Sequence, residues 1–294
     1  MKVNVQHQGE IFILGSATLW GLFPIVTVLS YHSLSPLISL VISSFFASLF
    51  FAALITKKHT WYELYNRAAV KNILLSTLFT GIIYYLLIFV GLQFTTPGNA
   101  SIVALTEIFF SFLFFHVFRR EYLPLNHIIG AFLMMTGALI VLFPNIKTFH
   151  QGDLLILLAS SVAPFGNFYV QRARKHVASE TIMFVRSALS GGVILLLALC
   201  INVPFSILAI QNSLFFLIIN GLLLLGFSKT LWIDGIHRIS VTKANSLGSI
   251  APLLTLFFAW LILKQPPTLW QLLAVLPILI GIRLLGKQTN VLAK

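Results

Sequence analysis

Residues 72–92 read NILLSTLFTGIIYYLLIFVGL, a run with no charged side chain. At about 1.5 Å of rise per residue, a helix of that length matches the hydrocarbon core of a bilayer, about 30 Å thick. The run lacks the strict alternation of a barrel strand, so it predicts a membrane-crossing helix. The same pattern recurs on both sides of it. Apolar runs bounded by polar, Pro or Gly punctuation lie near 11–29, 37–56, 99–118, 125–143, 153–171, 181–203, 213–233, 241–263 and 268–286. Together they predict an all-α membrane protein with ten transmembrane helices. Lys2 precedes the first run as in a signal peptide, but the run is long for one and has a later counterpart, so it is read as a span.

Composition agrees. Of 294 residues, 58% are hydrophobic and 9% charged, with a mean hydropathy of +0.97. A soluble domain carries about 25% charged residues, so a water-soluble enzyme, a disordered chain, collagen and a coiled coil are excluded. The 19 Lys and Arg against 7 Asp and Glu leave a charge of +12. In a soluble chain that excess suggests nucleic acid; in a polytopic one it reports sidedness. With both termini in the cytoplasm, Lys2, Lys57, Lys58, Arg67, Lys71, Arg119, Arg120, Arg172, Arg174, Lys175, Arg238, Lys243, Arg283, Lys287 and Lys294 fall on the inner side. Only Lys147 and Lys264 fall outside. No nucleic-acid partner is expected, and membrane lipid is. The expected location is a bacterial inner membrane, crossed many times, with both termini cytoplasmic. Segment 57–71, with Trp61, Tyr62 and Tyr65, suits the headgroup layer.

Cys200 is the single cysteine, which excludes a disulfide framework. His116, His127 and His237 form no metal-ligand pattern, so no metal is expected. No phosphate-binding Gly-rich Lys motif is present and no loop can hold a soluble domain, so neither ATP use nor a cofactor is expected. The 27 Phe are scattered through nearly all spans and carry no inference about an aromatic substrate.

The chain aligns with itself at a shift of 143 to 144 residues. Gly9-Glu10 matches Gly152-Asp153, Gly91 matches Gly235, Ala100 matches Ala244, Gly137 matches Gly281, and Glu121 falls opposite Gln265. This divides the chain into repeats 1–148 and 149–294. Each holds five spans, an odd number, so the second enters the membrane upside down. Two similar halves of opposite orientation can exchange conformations and open a central site to either side in turn.

The same residues carry a family resemblance. Leu19-Trp20-Gly21 is followed by Pro24. Ile108-Phe109-Phe110 leads to Arg119-Arg120-Glu121-Tyr122-Leu123, then His127-Ile128-Ile129-Gly130 and Gly137. Ala251-Pro252-Leu253-Leu254 leads to Leu263-Lys264-Gln265, then Gln271 and Gly281. Over nearly its whole length the chain resembles the EamA-type transporters of the drug/metabolite transporter superfamily. That family's pairing of a Pro with a Glu thirteen residues on appears as Ile108 with Glu121, and as Pro252 with Gln265. Its Arg early in each second span appears as Arg186, with Ile42 as first-repeat counterpart. The resemblance implies two inverted five-helix repeats around a central cavity lined by spans 1, 3, 4, 6, 8 and 9, with spans 5 and 10 outside. It also implies export of amino acids or other small metabolites, often coupled to protons.

Ionisable groups inside spans are costly and usually face a cavity or a partner. Four qualify here. Glu107 lies about 12 Å into span four, with Ala100, Val103, Ala104 and Ser111 as helical neighbours. It is the candidate for carrying a coupling proton; binding a substrate amine, or a neutral hydrogen bond within the bundle, are its other roles. Arg186 and Asp234 are candidates for an ion-paired inner gate, with snorkelling of Arg186 to the headgroups as the alternative. Lys229 can meet a substrate carboxylate or a carboxylate from another span. Five residues from Asp234, it points about 140° away and does not pair with it directly.

Uncharged groups add to these. Ser160, Pro164, Asn167 and Gln171 form one stripe in span six, and Asn245, Ser249 and Pro252 another in span nine. Asn167, Asn245 and Ser249 are cavity candidates, although close helix packing uses similar small residues. Trp20, Tyr84 and Tyr85 are candidate aromatic walls. Pro24, Pro164 and Pro252 are candidate helix bends. The expectation is a secondary transporter, working as a monomer or a homodimer, that exports a small polar or zwitterionic metabolite such as an amino acid by alternating access. The alternatives are a drug or cation exporter of the same fold, a non-transporting scaffold, or an intramembrane lipid-modifying enzyme. The acidic residues are too dispersed for the last.

Overall fold

The computed structural model describes residues 5–119, 125–142, 151–239 and 241–285, with side chains at all of these except 115–119, 142, 241, 242, 245, 246 and 285. Glu121 and the side chain of Asn245 lie outside the described residues. All secondary structure within them is helical. The helices are α1 (Val5–Ser30), α2 (Pro36–Lys58), α3 (Arg67–Leu92), α4 (Pro97–Ala104), α5 (Thr106–Arg119), α6 (Leu125–Leu142), α7 (Gln151–Ala173), α8 (Ser179–Cys200), α9 (Ile207–Ile236), α10 (Val241–Gly248), α11 (Ala251–Leu263) and α12 (Leu269–Leu285). Among the described residues, seven helical stretches are long and apolar enough to cross a membrane: α1, α2, α3, Pro97–Phe114 across α4 and α5, α7, α8 and α9. The apolar helices Leu125–Val141, Ala251–Leu263 and Leu269–Leu284 are shorter. The chain is a multi-pass membrane protein.

Local sequence sets the helix ends. Ser35, Thr96 and Ser206 cap α2, α4 and α9 by accepting from the N–H groups of Ile38, Asn99 and Ala209 at 3.4, 3.2 and 3.1 Å. Pro36 and Pro97 follow two of these caps, where a missing N–H costs nothing. The Glu63 carboxylate, reaching from the 3-10 turn Trp61–Tyr65, accepts from Ala178 N (2.8 Å) and the Thr181 hydroxyl at the start of α8.

Helices of the two halves pack in reciprocal pairs: α1 on α9, α3 on α7, α2 on α8, and α6 on α12. Glycines permit the closest approaches. A Cβ on Gly9 would meet the Gly235 carbonyl, and one on Gly152 would meet that of Gly91. On α6 and α12, a Cβ on Gly137 would strike Ile278, and one on Gly281 the carbonyl of Gly130. Large apolar residues such as Phe132, Leu196 and Leu276 are exposed, as suits helices whose outer solvent is lipid.

Two kinds of irregularity recur in both halves. α3 widens into a π-helix over Thr77–Ile83, and α9 does so over Ile219–Phe227. The apolar run from 97 breaks at Leu105, and the one from 241 breaks at Ser249–Ile250. The second break corrects the expectation of one continuous span over 241–263. Tight backbone bonds mark both breaks: Leu105 N to Ile102 O (3.2 Å), and Ile250 N to Leu247 O (3.3 Å). Pro252 follows the second break, so it opens α11 rather than bending a continuous helix; its missing N–H is tolerated in a first turn. Pro24 and Pro164 lie within α1 and α7. Each leaves the carbonyl four residues back, at Trp20 and Ser160, without its helical donor.

Candidate functional site

The break at Leu105 sets Glu107 in the first turn of α5, where free N–H groups and the positive end of the helix favour a carboxylate. Glu107 Oε1 accepts a 2.9 Å hydrogen bond from Asn167 Nδ2 on α7. A negative group of the first half thus meets an amide of the second. Glu107 also lies within electrostatic reach of Lys229 and of the Tyr84 and Tyr85 hydroxyls.

Lys229 follows the π-helix of α9, and its Nζ sits 3.7 Å from the centroid of the Trp20 ring on α1, a cation–π contact. Trp20 stacks on Phe23 with centroids 4.7 Å apart. Phe23 meets Tyr85 edge-on at 6.4 Å, and Tyr85 meets Tyr84 at 5.2 Å. The three aromatic candidates therefore form one wall through Phe23, which sequence reasoning had passed over. Its signal was available: Phe23 lies three residues after Trp20, on the same helix face.

Arg186 on α8 packs against the π-helix of α3, where a Cβ on Gly81 would meet its side chain. It lies within electrostatic reach of Tyr84, Tyr85 and Lys229. The candidate gate pair with Asp234 is not seen among the described residues: Asp234 is exposed, and its backbone carbonyl accepts from Arg238 at 2.6 Å. The reason is placement, since Arg186 is buried on the α3 side. Three of the four intramembrane ionisable candidates converge, and Asp234 stands apart. Asn167 is exposed and Glu107, Lys229 and Trp20 are half-buried, so these groups lie at the margin of the packed core, with Trp20 against it. Ser249 is buried at the break before α11.

Polar contacts secure both ends. Toward the chain's basic loops, Lys58 pairs with Glu180 at 2.5 Å and Lys243 pairs with Glu10. At the other end, Asp153 is buried and accepts from the Thr95 hydroxyl and from Asn99 Nδ2 (3.4 Å), while Gln271 Nε2 donates to Asn99 Oδ1 at 2.7 Å. This polar knot joins α4, α7 and α12. Sequence reasoning met Asp153 only as a repeat marker, because nothing local announces a partner more than fifty residues away. Among the described residues, no cluster of three or more His, Cys, Asp or Glu could hold a metal ion.

Comparison with known proteins places this geometry in context. The model of the EamA-like transporter family matches twice, over residues 7–143 and 150–287. The chain is 24% identical over 279 residues to the "Uncharacterized transporter YoaV" of Bacillus subtilis (strain 168), covering 92% of this chain and 94% of that protein. It is 27% identical over 233 residues to an "Uncharacterized transporter" of Methanothermobacter thermautotrophicus, covering 72% of this chain and 63% of that protein. A solved structure described as "Crystal structure of protein" superposes with a TM-score of 0.68 at 17% identity, covering 94% of this chain and 95% of that one. That likeness concerns the fold alone.

Proposed function

The chain belongs to the EamA-like transporter family, and from that premise we propose that it is a secondary active transporter that exports a small polar or zwitterionic metabolite, an amino acid in the first instance. The observation that carries this reading is the junction of opposite charges between the halves. Glu107 is bonded to Asn167, while Lys229 lies over Trp20 within electrostatic reach of Glu107. Such a junction suits a molecule bearing an ammonium and a carboxylate. One carboxylate that holds either a proton or a substrate ammonium couples two opposed fluxes, which is the role proposed for Glu107.

We read the three shorter apolar helices as completing ten spans, in two inverted halves, 1–148 and 149–294, with both termini in the cytoplasm of a bacterial inner-membrane protein. The π-helices 142 to 144 residues apart, the matching breaks and the reciprocal helix pairs support that symmetry. Alternating access follows from exchange of conformation between such halves.

Reconstitution into liposomes tests the reading. Vesicles loaded with a panel of labelled amino acids and amines should show exchange for at least one amino acid, and E107Q should abolish its dependence on a proton gradient. Absence of flux for every compound would overturn the reading in favour of a scaffold.

A further inference from the structure

The acidic residues of the chain can be followed one at a time. Glu10 is taken by Lys243 and His7, Glu180 by Lys58, Glu63 by the start of α8, and Asp153 by Thr95 and Asn99. Asp234 is exposed and Glu121 lies outside the described residues. Glu107 is thus the one described carboxylate within electrostatic reach of Lys229. Arg186, only 9% exposed, makes no hydrogen bond or ion pair among the described residues. The ammonium of Lys229 meets only the Trp20 face there. Arg186 packs at Gly81, next to the Thr80 side chain that a Cβ on Gly166, the chain neighbour of Asn167, would strike, and it lies within electrostatic reach of Lys229.

Two cations therefore share the site with a single carboxylate. In a medium of low dielectric, an unmatched buried charge is expensive unless a partner arrives. We propose that the site takes a net-monoanionic amino compound bearing two acidic groups and one ammonium, of which an acidic α-amino acid is the simplest, with its acidic groups at Arg186 and Lys229 and its ammonium at Glu107. The inference rests on reading this same site as the substrate site of a transporter. The guanidinium presents a fork of donors that matches a carboxylate, and the ammonium of Lys229 supplies the second positive charge. A neutral amino acid leaves one cation unmatched. A cationic amine meets repulsion from both.

The test is a competition profile in proteoliposomes, with L-aspartate and L-glutamate set against L-leucine, L-threonine and L-lysine. The acidic pair should exchange with an apparent affinity about ten-fold or more above the neutral pair, and L-lysine should not compete. R186Q and K229Q should each weaken aspartate by about ten-fold or more, with R186K and K229R recovering part of the loss. Should R186Q fail to fold, the wild-type profile and K229Q still decide. Protection of the detergent-purified protein against heat by aspartate gives a readout independent of flux. Transport of neutral amino acids with acidic ones excluded overturns this proposal and leaves the transporter reading intact. Absence of flux for every amino acid, acidic ones included, overturns the transporter reading itself.

Discussion

At the residue scale, Glu107 and Lys229 each have one contact, with Asn167 and with Trp20, around which a single substitution can be designed. E107Q keeps an oxygen to accept from Asn167 Nδ2 but cannot release a proton. Exchange across the vesicle membrane should then persist at a lowered apparent affinity, since the substrate ammonium loses its anionic partner, while proton-driven accumulation is lost, as a pH-sensitive dye inside the vesicles will report. Trp20 holds Lys229 through its ring face, an interaction worth about 0.5–2 kcal/mol. W20A should raise the substrate KM by roughly 2- to 30-fold, and W20F should recover part of it. Asn167, Lys229 and Trp20 were legible as candidates because a polar or amphipathic group in an apolar run stands out. The contacts of Asn167 with Glu107 and of Lys229 with Trp20 were not, since the partners come from different helices. The candidate Arg186–Asp234 pair, not seen among the described residues, rested on depth along two helices, which carries no information about which faces meet.

At the element scale, irregular backbone marks the helices that carry the site. Glu107 follows the Leu105 break, Lys229 follows the π-helix over Ile219–Phe227, and Arg186 packs on the π-helix over Thr77–Ile83. No proline causes the first break; Ile108 occupies the position that Pro252 holds in the second half. Sequence reasoning, which relied on Pro and Gly as breakers, missed both π-helices. Packing between elements invites a sharper comparison. A side chain on Gly137 would strike Ile278 on α12, whereas a Cβ on Gly192 meets nothing within 4 Å. G137L should therefore lower the unfolding temperature in detergent, while G192A should hold or raise it, since Ala exceeds Gly in helix propensity by about 1 kcal/mol. The Thr255 hydroxyl donates to the Gly21 carbonyl across α11 and α1 at 2.9 Å. T255V should cost about 0.6 kcal/mol, the usual worth of such a bond in a membrane protein, measurable by equilibrium unfolding in mixed micelles.

At the scale of the whole molecule, the reciprocal pairing of helices joins the halves, and the expected orientation of the bundle rests on the distribution of positive charge. Tyr65 and Lys264 are both exposed, at opposite ends by the expected topology. In a C200S background, a membrane-impermeant maleimide should label K264C in intact cells, and Y65C only after permeabilisation. The reverse pattern would refute cytoplasmic termini. Hydropathy alone determined that the chain is helical and spans a membrane repeatedly, because in lipid a backbone satisfies its own hydrogen bonds within each apolar run; the two related halves were legible in the residues that recur at a fixed shift. The spacing of its repeated glycines likewise follows from positions along the chain. Which charges meet was decided only by the tertiary structure. The junction of Glu107 with Asn167, Lys229 over Trp20, and the burial of Arg186 apart from Asp234 depend on the rotation of each helix about its axis. Packing against neighbours sets that rotation, and the linear sequence of an almost uniformly apolar helix barely encodes it.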